Sequence, residues 1–348
     1  MSQQKKTYND LKKDIIDKQI CVSCGTCEAV CPVNAIELKE TIPNLLGNCI
    51  ECGICYENCP AASFNTEEMD QKVFGRKRKP TEKLTGIYKK AYQAKTTQED
   101  IHSKAQDGGV VTALLTQFLD DGGDAVIVAD LEEDKIWAPK PTVAKTREEI
   151  IKAAGTKYTP SPALVGVKKA VKEEKLEKIA VVGTTCQMRG LSLATAGPLK
   201  NKKIADAVAL KIGLFCMETF NYDSYMQYLK ENDVDPGQVT KFEIKNGRFY
   251  AWNGEERLHR AKLAKVKPLI RSTCQRCTDF ASEYSDISVG NVGSPAGYST
   301  VIVRNEKGQK ILDSAIKSGL IEATQIEDFE EQKTLVHKLA EMKKSSHQ

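Results

Sequence analysis

The chain has 348 residues, 28% charged and 41% hydrophobic, with a formal net charge of +4, values that suit a water-soluble globular protein of about two domains. So small a charge gives no argument for nucleic acid, and no stretch approaches the roughly 18 unbroken apolar residues of a membrane span. The opening MSQQKKTYNDLKKD has lysines with no apolar region behind them, so it is not a secretory signal and the expected compartment is the cytoplasm.

Twelve cysteines are present, eight of them between Cys21 and Cys59. In a reducing compartment so dense a group reads as metal ligation, not disulfides. The run Cys21-x-x-Cys24-x-x-Cys27-x-x-x-Cys31-Pro32 is repeated with the same spacing as Cys49-x-x-Cys52-x-x-Cys55-x-x-x-Cys59-Pro60. Three thiolates so spaced wrap one 4Fe–4S cubane, and the fourth cysteine of each run ligates the other cluster. One cluster is therefore expected on Cys21, Cys24, Cys27 and Cys59, the second on Cys49, Cys52, Cys55 and Cys31. Zinc would more often take separated C-x₂-C pairs, so residues 1–65 read as a bacterial-type two-cluster ferredoxin domain.

Residues 66–85 read as a linker, and its basic stretch from Phe74 to Pro80 as a solvated charge run or a docking surface for an acidic partner. Beyond it, short β-branched runs alternate with amphipathic patterns, as in an α/β (α+β) domain. Strands are expected at 125–129, 179–182, 208–215, 286–289 and 300–303, and helices at 110–119, 163–174, 222–231 and 307–318. Asn246-Gly247 marks a hairpin turn. The segment 326–348 reads as a charged, helical, peripheral tail.

Four cysteines remain: Cys186, Cys216, Cys274 and Cys277. They make a complete ligand set for a third cubane. By spacing alone Cys186 and Cys216 are equally well read as buried inert thiols, and Cys274-x-x-Cys277 as a zinc or redox pair. No G-x-G-x-x-G is present, so a Rossmann dinucleotide site is unsupported. Other loops stand where ligands are commonly held. Asp107-Gly108-Gly109 precedes an expected helix whose N-terminus would receive a phosphate. Gly155-Thr156-Lys157-Tyr158 and Gly183-Thr184-Thr185 are further loops of this kind, and Gly290-Asn291 follows a strand. The histidines, at 102, 259, 337 and 347, lie away from these motifs, and no histidine-based chemistry is indicated.

The segments DGGVVTALL, GTKY, VGTTCQMRGL, GLFC and CQRCTDFASEYSDISVGNVG resemble the family of coenzyme F420 hydrogenase/dehydrogenase β subunits over about residues 85–320. With the fused ferredoxin domain, the arrangement is similar to the electron-input subunits of F420 dehydrogenases. The resemblance implies that residues 86–325 form a flavin-binding catalytic domain, with FAD as cofactor, reduced coenzyme F420 as substrate, and a third cluster on Cys186, Cys216, Cys274 and Cys277. It implies Asp107, Gly108, Gly109 and Thr112 at the FAD phosphates; Asp107 departs from the serine expected there, and an acidic side chain beside a pyrophosphate is unfavourable unless it points away. Thr156, Lys157, Tyr158, Gly183, Thr184 and Thr185 would line the flavin, with Asn291 in the same set of cofactor contacts. Lys157, Arg189 and Arg276 are candidate partners for the anionic tail of the coenzyme.

The expected reaction is hydride transfer from reduced F420 to FAD, followed by single-electron steps through the clusters to a partner. That partner would be the membrane-bound, complex I-like subunits of an F420 dehydrogenase or another acceptor protein, with the chain peripheral on the cytoplasmic face. The competing readings are a non-catalytic iron–sulfur subunit and a related flavin-dependent reductase driven by ferredoxin.

Overall fold

Gly25 (φ 85°) and Gly53 (φ 77°), with Ser23 (φ 56°) and Glu51 (φ 50°), occupy left-handed backbone at matching places in the two cysteine runs, so the sequence repeat is also a repeat of chain path. Each glycine opens a short helix, Thr26–Val30 and Ile54–Glu57. A side chain on Gly53 would strike the Lys6 carbonyl oxygen at 2.4 Å. Between the runs, β1 (Ile36–Lys39) and β2 (Ile42–Leu45) pair antiparallel, with Ile36 opposite Leu45. This is the expected N-terminal ferredoxin domain. The computed structural model describes residues 5–327, 329 and 334–345; parts of the N-terminal segment and of the tail lie outside the described residues.

The larger part is built on strands β3 (Lys90–Thr96), β4 (Ala125–Leu131), β5 (Pro139–Ala144), β6 (Ile179–Thr184), β7 (Val208–Leu214), β8 (Lys241–Lys245), β9 (Arg248–Asn253), β10 (Glu256–Lys262), β11 (Ile287–Gly290), β12 (Ser299–Val303) and β13 (Ile321–Gln325). Eight form one mixed sheet in the order β13-β3-β12-β11-β7-β6-β4-β5. Its centre, β11-β7-β6-β4, is parallel. Those strands are mostly apolar because helices cover both faces, with Lys211 of β7 and Ser288 of β11 as buried polar exceptions. Helices Val110–Asp120 and Glu306–Lys317 pack on one face, and Ala163–Lys168 and Thr185–Ala196 on the other. The expected α/β architecture is present. Strands β8, β9 and β10 form a separate antiparallel sheet over an aromatic core of Phe220, Tyr225, Phe242 and Phe249. Its first turn has Asn246 at φ 52° and Gly247 at φ 68°, the two positive values that a two-residue hairpin turn requires.

Several elements escape the sequence reading. The sheet edge β5 carries Pro139 and Pro141, residues that argue against a strand except at an edge. The segment 66–85 contains the helix Thr66–Phe74 and a tight turn, Pro80–Lys83. Its basic stretch is not simply solvated. Arg78 donates to both carboxylate oxygens of Asp70, at 2.7 and 3.0 Å, and also to Glu283. Arg76 donates to Glu82, and Lys77 and Lys79 face solvent. The tail is not peripheral either: the helix Leu335–Ser345 buries Val336, His337, Ala340 and Lys343. No helix among the described residues is long and apolar enough to cross a membrane.

Candidate metal centres and the adjoining loops

The first expected ligand set surrounds a small cavity lined by Cys21, Cys24, Cys27 and Cys59 together with Leu11, Ile15, Pro43 and Pro60. Burial pushes the Cys24 thiol up to about 12, and the nearby Cys59 and Cys21 sulfurs add to the effect. Cys27 is pushed well above its ordinary value by burial and then by Cys24, Cys21 and Cys59. In the second set, burial and then Cys52, Cys49 and Cys31 push Cys55 up to about 12. Cys59 thus lies with the first three cysteines of the other run, and Cys31 is among the sulfurs near Cys55. Backbone N–H groups already aim at them: Ala35 donates to Cys31 at 3.2 Å, and Glu51 to Cys49 at 3.4 Å.

Such buried, mutually repelling thiols suit a multivalent cationic centre, which stabilises the thiolate form. Among the described residues no three His, Cys, Asp or Glu side chains converge as they would on a single ion. A cubane presents four separate iron corners, so it asks for sulfurs more widely spaced.

The last four cysteines are also brought together. The ends of the neighbouring parallel strands β6 and β7 lead into Cys186 and Cys216, and a turn, Ser272–Arg276, supplies Cys274 with Cys277 directly after it. Burial, then Cys277, Cys24 and Cys274, push Cys186 up to about 12. Cys216 is pushed well above its ordinary value by burial, with Cys186, Cys274 and Cys277 adding to the effect and Lys343 opposing it. The Thr219 N–H lies 3.3 Å from the Cys274 sulfur.

Cys24 of the ferredoxin domain is among the neighbours of Cys186, and the local fold explains this. The helix Thr26–Val30 packs on Ala163–Lys168 in a shared core of Cys24, Ala29, Val30, Leu164, Val167 and Met188. Arg271 donates to the Cys21 carbonyl at 3.1 Å and to the Ser23 hydroxyl at 2.7 Å. Its own carbonyl accepts the Cys274 N–H at 2.9 Å. Lys168 pairs with Glu28 at 2.9 Å, and Lys172 donates to the Cys31 carbonyl at 2.6 Å. Arg271 was not singled out from the sequence; nothing local marks a lone arginine whose partners lie some 250 positions away.

The glycine-rich loops fall into two places. Asp107 accepts the Gly297 N–H at 2.6 Å and so turns away from the start of the helix Val110–Asp120. Gly109, at φ 70°, caps that helix, and Thr112 is buried one turn in. Gly108 has little room, since a side chain there would meet the Ser299 nitrogen at 2.7 Å and the Ala94 oxygen at 2.9 Å. The Thr156 N–H reaches the Gln106 side chain at 3.4 Å, which ties the Gly155 loop to this one. Lys241 donates to the Gln106 carbonyl at 3.1 Å, a basic neighbour that the sequence did not flag.

Lys157 donates to the Ala153 and Ala154 carbonyls at 2.5 and 2.9 Å at the end of the helix Arg147–Lys152, and burial brings its ammonium down to about 8. Tyr158 stacks on Phe220 with ring centroids 5.7 Å apart, and its hydroxyl accepts the Ile244 N–H. Thr184 and Thr185 stand elsewhere, their hydroxyls 3.4 and 3.5 Å from the sulfurs of Cys186 and Cys277. Gly183 lies against Gln187, whose side-chain oxygen accepts the Thr184 N–H at 2.7 Å. Arg189 faces Asp279 at 3.6 Å and covers the Phe64 ring. Asn291 and Arg276 are exposed.

Residues 13–60 match the family of 4Fe–4S dicluster domains. Residues 91–168 and 176–329 match the N-terminal and C-terminal parts of the coenzyme F420 hydrogenase/dehydrogenase β subunit. The β subunit of the coenzyme F420 hydrogenase of Methanosarcina barkeri is 38% identical over 260 residues, 74% of this chain and 89% of the relative. A component of the F(420)H(2) dehydrogenase of Methanosarcina mazei is 29% identical and spans 95% of this chain and 91% of its own length. Among solved structures, a chain of the F420-reducing [NiFe] hydrogenase complex from Methanosarcina barkeri superposes with a TM-score of 0.71 at 37% identity, covering 76% of this chain and 91% of that one.

Proposed function

This chain belongs to the family of coenzyme F420 hydrogenase/dehydrogenase β subunits, and on that premise we propose that it oxidises reduced coenzyme F420 and passes the electrons singly through three 4Fe–4S clusters to a partner protein. Bound FAD would supply the hydride acceptor, and the clusters the one-electron relay. The chain's own residues would hold and space these groups. Gly108, Gly109 and Thr112, at the start of Val110–Asp120, would meet the flavin phosphates, where free N–H groups and the helix dipole favour an anion. Asp107 is kept off that position by its bond to Gly297. Thr184 and Thr185 bring the flavin-side loop onto Cys186 and Cys277, and Arg271 and Gly190 hold Cys24 beside Cys186.

The observation that carries the reading is the seat of Cys24 against Gly190, one helical turn from Cys186, which would link the ferredoxin set to the set nearest the flavin loops. Electrons would leave at the opposite end. Cys49 is exposed there, and Val33, Ile42, Leu45, Leu46 and Ile50 are exposed along the same stretch of chain. An apolar surface of this kind suits a docked redox protein, here the other subunits of an F420H2 dehydrogenase-type assembly.

The test is anaerobic reconstitution with iron, sulfide and FAD, followed by reduced F420. The flavin band should bleach first and the cluster absorbance after it. Bound flavin that stays oxidised would rule out F420 oxidation, and iron without any flavin would leave only an electron-transfer subunit. Cys274→Ser with Cys277→Ser should lose one cluster's iron and keep the other two.

A further inference from the structure

The helix Leu335–Ser345 buries one stripe, Val336, His337, Ala340 and Lys343, at helical spacing. Its last buried member is a lysine only 4% exposed. The Lys343 ammonium donates to the Met217 carbonyl and, at 3.2 Å, to the Cys274 carbonyl. Met217 follows Cys216, so one side chain ties together two of the three segments that bring cysteines to the third set. Lys344 continues the contact, donating to the Thr278 carbonyl at 3.0 Å and to Glu283 at 2.7 Å, and Thr278 follows Cys277. A segment distant in the chain thus closes over the loops of three of the four cysteines.

We propose that Lys343 is a positioning and potential-setting residue of the third cluster: its buried ammonium locks the Cys216 and Cys274 loops together and favours the reduced, more negative cluster. The proposal rests on the cluster reading above. Its physical basis is that a cation in a low-dielectric setting interacts strongly with added negative charge and is little screened by salt. Local charge and hydrogen bonding are among the levers that set cluster potentials.

The experiment is an anaerobic redox titration of the reconstituted full chain, followed by electron paramagnetic resonance. The third-cluster signal is identified as the one lost in Cys274→Ser/Cys277→Ser. Lys343→Met should retain the iron of all three clusters and make reduction of the third about tenfold less favourable, a downward shift of about 59 mV for one electron, at both low and high salt. Lys343→Arg should stay with the parent. If Met costs the cluster itself, Lys343→Gln, which keeps a donor for the carbonyls without the charge, carries the measurement and should show the same lowered potential. An unmoved potential in the uncharged variants, or an equal drop in Lys343→Arg, overturns the proposal while leaving the cluster in place. Full iron in the double cysteine variant would overturn the cluster reading instead.

Discussion

Gly190 lies against Cys24: a side-chain carbon on the glycine would stand 3.5 Å from the Cys24 sulfur and 2.2 Å from the Thr26 hydroxyl. The same helix, Thr185–Ala196, carries Cys186 one turn earlier. One turn is about 5.4 Å of rise, so a single glycine lets two cysteine sets meet across a domain boundary. Gly190→Ala should therefore destabilise the chain despite alanine's helix propensity, worth about 1 kcal/mol in its favour. Overpacking a tight contact costs about 1–3 kcal/mol. Because the nearest atom belongs to Thr26, the Thr26→Ala/Gly190→Ala pair should be less destabilised than the sum of the singles. Urea denaturation of all four proteins checks this, and an additive cycle would remove the contact from the explanation.

Crossed ligation predicts how iron losses combine. Cys31→Ser with Cys52→Ser should lose no more iron than either single change, because both serve one cluster. Cys31→Ser with Cys24→Ser should lose about twice as much. The reverse order, with the larger loss in the Cys31→Ser/Cys52→Ser pair, would mean that each run feeds its own centre.

Arg78 is 13% exposed and sits between Asp70 and Glu283, which are 3% and 1% exposed. Removing it leaves buried Asp70 without its cation and Glu283 with Lys344 alone, so Arg78→Ala should cost about 3–5 kcal/mol. Lys77→Ala, one residue away and exposed, should change stability by no more than about 0.5 kcal/mol. A similar response of the two variants to denaturant would show that the stretch is a solvated run after all.

Tyr228 and His259 share a 2.9 Å hydrogen bond beside the aromatic core, and burial holds the imidazole below its ordinary 6.5. As pH falls through 6.5 the unfolded chain takes up this proton before the folded one. Stability is therefore lost on acidification from about pH 7 until the folded value is passed. The difference in unfolding free energy between wild type and His259→Gln should narrow from pH 7 to pH 5 and be constant above pH 7. A difference that is flat throughout would exclude His259 as the titrating group.

The cysteine runs were legible because ligand spacing is local: i, i+3 and i+6 fold back on themselves whatever surrounds them. The parallel strands were legible because burial on both faces leaves only apolar residues, as in AVIVA and IAVV. Long-range partners were not. Arg78 reads as a surface charge until Glu283 arrives from the far end of the chain, and Lys157 reads as an open cation until it folds onto the carbonyls of the helix before it. Lys343 looks like one of many lysines in a charged tail, and only the third dimension brings it to Cys274. Strand β5 was hidden by its own prolines, which are tolerated only because it is an edge.

The contrast between an exposed Cys49 and a buried Cys24, Cys27 and Cys59 also sets the order in which air would damage the protein. Oxygen reaches the solvent-facing centre first, so handling outside an anaerobic chamber would sever delivery while the interior centres still charge. A sample aged in this way would accept electrons normally, fail to pass them on, and look like a protein that had lost its partner.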